Sequence, residues 1–232
     1  MSEIFDCEDR GALLGAVRAA RQAVGRGELV VLPTDTVLGL GADAFSARAV
    51  ERLLAAKGRT RQSPPPVLVA DPEAVHALAA VVPEPVERLL ERFAPGPLTI
   101  VLPAQPSLRW DLGETRGTVA LRIPDHGLAR ELLRETGPMA VSSANRHGEP
   151  PAADAHAARD VFGEAVSVYL AAAPGGGVPS TIVDATGTAA DGRPLRIVRQ
   201  GAVSRERLEE TLGERLESAA HRPRSGSEAA DP

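Results

Sequence analysis

The sequence predicts an α/β fold built on a mixed sheet, because short apolar runs alternate with segments of helical period along nearly its whole length. A second observation is that 43% of the 232 residues are hydrophobic, enough to bury a sizeable core. A third is that no internal repeat or clear linker interrupts the pattern, which reads as one domain from about residue 10 to residue 216. Aromatic residues make up only 3% of the chain, so that core must be aliphatic.

Leu13, Leu14, Val17, Ala20 and Val24 recur at helical spacing, and Gly25 and Gly27 close the segment. Leu29 to Leu32 is a short apolar run suited to a buried strand, and it feeds the polar loop Pro33-Thr34-Asp35-Thr36. Ser46 is suited to cap a helix that carries Val50, Leu53 and Leu54 and ends near Lys57-Gly58. Pro64-Pro65-Pro66 stiffens the approach to a strand at Val67 to Ala70. Asp71-Pro72 and Pro83 start two helices, the second carrying Val86, Leu89, Leu90 and Phe93. Strands follow at Leu98 to Leu102 and Val119 to Ile123, then a helix around Leu128 to Leu133 and a strand at Met139 to Val141. The loop from Ser142 to Pro151 leads to a helix near Ala155 to Phe162. Further strands are expected at Val166 to Leu170, Thr181 to Asp184 and Leu195 to Arg199, before a last helix from Arg205 to about Leu216. The polar tail, 217–232, is expected to be disordered.

Composition excludes several classes. The net charge of −5 argues against a dedicated nucleic-acid binder, which usually carries a basic excess. The single Cys7 rules out an intramolecular disulfide and any multi-cysteine zinc site. The acidic start, Met1 to Asp9, lacks the basic-then-apolar order of a signal peptide, and no apolar run approaches the roughly 18 residues of a membrane span. These features predict a soluble, cytoplasmic protein without membrane partners.

Familiar nucleotide motifs are missing or fail on context. Gly39-Leu40-Gly41-Ala42-Asp43-Ala44 matches G-x-G-x-x-A, but six residues separate it from the preceding strand and no acid lies between Arg59 and Pro65. Those glycines are better read as allowing close backbone packing. There is no Walker-type G-x-x-x-x-G-K-[ST] and no G-x-S-x-G elbow. The five histidines are scattered without metal-ligand spacing, and Gly175-Gly176-Gly177 reads first as a mobile loop.

Four polar clusters remain, each at the end of a predicted element. Pro33-Thr34-Asp35-Thr36 is either a self-bonded turn or a small-substrate contact. Lys57-Gly58-Arg59, followed by Arg61, is either a set of cations on a helix C-terminus or a phosphate clamp. Ser142-Ser143-Ala144-Asn145 follows a strand, where α/β proteins tend to bind ligands. The last comprises Thr118, Arg122, Ser180-Thr181 and Arg199. Of these, Arg122 sits in an apolar segment and needs an anionic partner if buried.

In this order along the chain, the clusters resemble the YrdC-like threonylcarbamoyl-AMP synthase family in its short, single-domain form. The resemblance rests on Pro33-Thr34-Asp35-Thr36-Val37 with Gly39-Leu40-Gly41, Lys57-Gly58-Arg59, and Gly96-Pro97-Leu98-Thr99. It continues through Gly117-Thr118-Val119-Ala120-Leu121-Arg122, Ser142-Ser143-Ala144-Asn145, Pro179-Ser180-Thr181-Ile182-Val183-Asp184 and Arg199-Gln200-Gly201. The family's K-x-R and S-x-N elements fall on Lys57/Arg59 and Ser143/Asn145.

The resemblance implies a twisted sheet that lines a deep cavity and is flanked by helices. It implies condensation of L-threonine, bicarbonate and ATP into threonylcarbamoyl-AMP and pyrophosphate, with Mg²⁺ accompanying the ATP and held mainly by its phosphates. The product would pass to a tRNA threonylcarbamoyl transferase complex for the modification of adenosine in tRNA. The resemblance places Lys57, Arg59, Ser143 and Asn145 in catalysis, and these four with Arg61, Thr118 and Arg199 around ATP. Thr36, Arg122, Ser142 and Ser180 fall around L-threonine. Attack by the carboxylate of N-carboxy-threonine on the α-phosphorus needs alignment and charge neutralisation rather than a strong base. Loss of Lys57 or Arg59 should therefore cost turnover far more than stability.

The sequence departs from the family at Leu38, where many relatives carry Tyr, and at His147-Gly148, where relatives often carry Ser-Gly. Two alternatives stay open. One is a related module that forms carbamoyl-adenylate from carbamoyl phosphate. The other is a non-catalytic RNA-binding module, and weak RNA binding is also compatible with the enzyme.

Overall fold

The computed structural model describes residues 2–173 and 175–217. The chain opens with β1 (Glu3–Asp6), α1 (Arg10–Gly25), β2 (Leu29–Leu32), β3 (Gly39–Asp43) and α2 (Ala47–Lys57). It continues with β4 (Val67–Leu68), α3 (Pro72–Leu78), α4 (Glu84–Phe93), β5 (Leu98–Pro103) and β6 (Thr118–Arg122). Then come α5 (Gly127–Thr136), β7 (Met139–Ser143), α6 (Ala155–Phe162), β8 (Val166–Ala171) and β9 (Thr181–Asp184). The described chain finishes with α7 (Thr186–Asp191), β10 (Arg196–Arg199) and α8 (Arg205–Leu212). No helix among the described residues is long and apolar enough to cross a membrane.

The ten strands of the described residues form one mixed sheet in the order β1-β8-β2-β3-β7-β4-β6-β5-β9-β10. Pairs β1/β8, β2/β8, β4/β6 and β5/β9 are parallel, and the other neighbours are antiparallel. Local chemistry sets the helix ends as expected. The Ser46 hydroxyl accepts from the Ala49 amide at the start of α2, and Gly58 closes that helix in the left-handed conformation. Asp71 accepts from the Ala74 amide at the start of α3.

Three elements escape the sequence pattern. β1 lies ahead of residue 10 and forms an edge of the sheet; its four residues, with an acid at each end, carry too little apolar signal to register. β3 is the Gly39-to-Asp43 segment, and its glycines hide the strand because Gly leaves an alternating pattern blank. The close-packing reading of those glycines holds: a Cβ on Gly39 would lie 2.5 Å from Val141 Cγ1. α7, Thr186–Asp191, is one short helix of small residues without an apolar stripe. β7 also runs through Ser142 and Ser143, which therefore end a strand instead of opening the loop. The last helix stops at Leu212, followed by a 3₁₀ turn at Gly213–Arg215. The tail expected from residue 217 lies, past Glu217, outside the described residues.

The two faces of the sheet are covered unequally. On β6, Val119 and Leu121 join a large cluster with Leu53, Val86, Leu89 and Leu208 from the helices of one side. Thr118, Ala120 and Arg122 point the other way, by the two-residue period of a strand. On that second side, α1 and α5 cover Val30, Leu32, Leu68, Met139 and Val141, and this cluster takes nothing from β5, β6, β9 or β10. Leu68 pairs with Arg122, Thr99 with Ile182, and Ile182 with Arg199. A row that starts apolar under the helices thus becomes polar where they end.

Gly39→Ala should overpack the β3/β7 contact, because Val141 is stiff at its branched carbon and cannot turn aside. We expect a loss of about 1–3 kcal/mol, seen as a fall of about 3–10 °C in melting temperature. An unchanged melt would mean that the two strands are not in close contact.

Candidate functional site

Where the helices leave the sheet uncovered, a cavity of about 380 Å³ opens over the strand face. It gathers eight of the residues that the sequence singles out: Thr36, Arg59, Arg122, Ser142, Ser143, Asn145, Ser180 and Arg199. Thr34, Leu38 and Thr99 also line it. A larger, more open hollow of about 780 Å³ beside β1 gathers Glu3, Asp6, Glu8 and Asp154 and has no such convergence of cations and hydroxyls.

Arg122 is buried at the end of β6, and the anionic partner that its burial demands is Asp35. Its Nη2 donates to Asp35 Oδ1 at 2.6 Å, its Nη1 to Thr36 Oγ1 at 2.9 Å, and its Nε to the Gly96 carbonyl at 3.1 Å. Burial lowers its pKa, the Asp35 carboxylate opposes that shift, and Arg199 adds to it. Three of the five guanidinium N–H groups are thus engaged, which leaves two. Thr36 is itself held, since the Thr34 hydroxyl donates to the Val37 carbonyl and sits 3.0 Å from Thr36 Oγ1.

Arg199 donates to the Ser180 carbonyl from both Nε and Nη2, and from Nη2 to Ser180 Oγ at 3.2 Å. Ser180 Oγ in turn lies 2.8 Å from Thr99 Oγ1. Burial, and then the charge of Arg59, lower the Arg199 pKa. Among the described residues Arg59 makes one long bond, from Nη1 to Ser142 Oγ at 3.3 Å, and its buried Nε finds no partner. Among the described residues neither Arg59 nor Arg199 meets a carboxylate within ion-pair distance. Three guanidinium groups therefore face one cavity with a single carboxylate between them.

Three expected site residues lie elsewhere. Lys57, expected at ATP, is fully buried and does not line the cavity. Its ammonium donates to the Ser143 carbonyl, to the Asn145 carbonyl at 2.7 Å and to Asn145 Oδ1 at 3.0 Å. Burial, with Arg59 a lesser cause, lowers its pKa to about 8, so it remains an ammonium at neutral pH. Its burial also runs against the expectation that its loss would spare stability, because three acceptors would each lose a charge-assisted hydrogen bond. Arg61 points outward and pairs with Asp111 at 2.7 Å. Thr118 shares the open face of β6 but stands four residues from Arg122, about 13 Å along the strand, and its hydroxyl donates to the Thr115 carbonyl.

Asn145 reaches the cavity with its amide already committed. Its Oδ1 accepts from Lys57 and from the Ser143 hydroxyl, and its Nδ2 donates to the carbonyls of Arg146 and Glu149. It has no donor left for a nucleotide. Reading by residue type misses Asp35, Thr99 and the glycine loop. The buried cation in β6 was the one sign of Asp35. Thr99, a polar residue inside the apolar run of β5, was the sign of a strand face turned toward ligand. Gly175 and Gly177 form no free loop; their amides donate to the carbonyls of Thr34 and Thr36 at 2.9 and 2.8 Å.

A family model described as telomere recombination, Sua5_yciO_yrdC, matches residues 22–201. A Mycobacterium tuberculosis protein, named provisionally as a threonylcarbamoyl-AMP synthase, is 49% identical over 214 residues, covering 92% of this chain and 96% of that protein. The Bacillus subtilis threonylcarbamoyl-AMP synthase is 39% identical over 189 residues, and this chain covers 53% of its length. The crystal structure of Pyrococcus abyssi Sua5 complexed with L-threonine superposes with a TM-score of 0.84 at 33% identity. That match covers 92% of this chain and 62% of the longer archaeal one.

Asp35→Ala should strand the Arg122 charge inside the protein and cost about 3–5 kcal/mol. Urea denaturation of the variant measures this directly. Wild-type stability would mean that the guanidinium is not buried as described.

Proposed function

Because the chain belongs to the Sua5/YciO/YrdC family, we propose that it is an L-threonylcarbamoyladenylate synthase, a nucleotidyltransferase that consumes L-threonine, bicarbonate and ATP. The observation that carries this reading is the convergence of Arg59, Arg122 and Arg199 with Thr36, Thr99 and Ser180 on one cavity. Such a set suits a polyanion beside a small hydroxylated acid.

The two N–H groups that Arg122 has left suit the threonine carboxylate, in the fork-to-fork geometry that guanidinium favours. The Ser180 and Thr99 hydroxyls suit the substrate hydroxyl. Arg59 and Arg199, without carboxylates of their own, suit the phosphates. In the reaction, the threonine amine adds to bicarbonate with loss of water, giving N-carboxy-threonine. One oxygen of the new carboxylate then attacks the α-phosphorus, and the bond to pyrophosphate breaks. Negative charge grows on the leaving phosphates, and pre-oriented guanidinium groups neutralise it at no cost of reorganisation. The described residues that line the cavity include no carboxylate, so Mg²⁺ would be held by the phosphate oxygens and would supply further charge neutralisation there.

Threonylcarbamoyl-AMP is a reactive mixed anhydride. It calls for a partner that transfers the threonylcarbamoyl group onward, which we assign to a tRNA threonylcarbamoyl transferase complex in the cytoplasm. Leu38 is fully buried in the cavity wall and packs into the aliphatic core behind it.

Mass spectrometry of a reaction with ATP, Mg²⁺, bicarbonate and L-threonine should reveal threonylcarbamoyl-AMP and an equal amount of pyrophosphate. Product that forms from carbamoyl phosphate and does not need threonine would overturn the assignment in favour of a carbamoyl-adenylate enzyme. Salt-sensitive RNA binding with no adenylate would point to a binding module instead. Arg59→Met should raise the KM for ATP by about tenfold or more, the worth of one charge-assisted contact. Its melting temperature should hardly move, because among the described residues Arg59 makes one long hydrogen bond.

A further inference from the structure

Of the 26 lysine and arginine residues in this chain, all but one are arginine, and the exception is Lys57. At exposed positions the two cations substitute for each other at little cost. A chain that uses arginine everywhere else keeps lysine here, at a fully buried position, and the geometry of the site gives the reason. Three acceptors, the Ser143 carbonyl, the Asn145 carbonyl and Asn145 Oδ1, converge on one nitrogen atom. An ammonium carries three N–H groups on that atom, whereas no guanidinium nitrogen carries more than two and all lie in one plane.

We propose that Lys57 is a positioning residue of the adenylate-forming reaction, one that holds Ser143 and Asn145 from behind the cavity wall, touches no substrate and cannot be replaced by arginine. The proposal rests on the adenylate-forming reading of the cavity. The clamp reaches both ends of the connection that it spans. Lys57 ends α2, and its own carbonyl accepts from the His147 amide at 2.9 Å. Its ammonium draws in the carbonyl that ends β7 and a carbonyl and an amide oxygen of Asn145, in the segment that follows. The Ser143 hydroxyl donates to the same Asn145 Oδ1, and Asn145 Nδ2 ties on to Arg146 and Glu149. Two residues further along the chain from Lys57, Arg59 faces the cavity and contacts Ser142. The position of Ser142 and Ser143 relative to Arg59 therefore depends on a lysine that the cavity does not contain.

The single lysine makes the test clean, since amine-directed acetylation can mark only Lys57 and the chain terminus. Followed by mass spectrometry, Lys57 in the folded wild type should react at least about tenfold more slowly than in urea, since only opening of the structure exposes it. Mg-ATP should slow that already slow rate only as far as its binding stabilises the fold. Fast labelling that Mg-ATP slows would place the ammonium in the cavity and overturn the proposal, whatever the reaction proves to be. Lys57→Arg keeps the charge and should still lose about 100-fold in kcat, the scale of a small misplacement. Lys57→Met should lose a similar factor while the KM for ATP stays within about threefold. Adding Asn145→Ala to Lys57→Met should cost little more, as expected of two residues in one unit. A Lys57→Arg protein with wild-type kcat, or additive losses in the double variant, would also overturn the proposal. If the variants fail to fold, labelling of the wild type decides alone.

Discussion

A guanidinium cannot be placed inside a sheet without a counter-charge, and much of this molecule is arranged around meeting that demand at Arg122. Asp35 supplies the charge from the loop between β2 and β3, on the far side of two intervening strands. The pair thereby fixes that loop against β6, and Thr36 is fixed with it. Its stabilising value is modest, because desolvation offsets most of the attraction. Its structural value is larger: it determines where the polar part of the sheet face begins, and hence where a cavity can form.

The second constraint is the unequal covering of the sheet. α1 and α5 bury the apolar end of the row that starts at Met139 and Leu68. The same row ends in Arg122, Thr99 and Arg199, which no helix could cover without stranding polar groups. Apolar packing and ligand access are thus two ends of one strand register, and the division between them is written in the alternation of β6. The arginines then differ in how far they are satisfied. Arg122 has a carboxylate, Arg199 has carbonyl and hydroxyl oxygens, and Arg59 has almost nothing. That gradient orders the cavity from a structured floor to an open, charge-hungry end.

Much of this was legible in the sequence. Caps at Ser46 and Asp71, the apolar runs of β2, β5 and β8, and the polar clusters that close each strand were readable because single side chains carry the signal. β3 was not, because two of its five residues are glycines and their purpose, close approach to Val141 and Met139, lives in the partner strand. Lys57 was read in the right motif and placed on the wrong side of the wall. Residue type and spacing bring a cation to the end of α2, but they do not say which way a long side chain turns. Arg61 failed for the same reason, with Asp111 fifty residues away to receive it. Asp35 was within reach, since a buried Arg122 demanded an acid and the sequence offered one between two threonines of a candidate loop.

Gly175 lies so close over the backbone of Asp35 that no side chain could stand there. Its amide and that of Gly177 bond the carbonyls on either side of Asp35, as an added strand would. Such a contact uses only main chain, so it covers the backbone of Asp35 without offering the Arg122–Asp35 pair any competing polar side chain. The strength of electrostatic interactions in the cavity floor is therefore set partly by two residues that have no side chains at all.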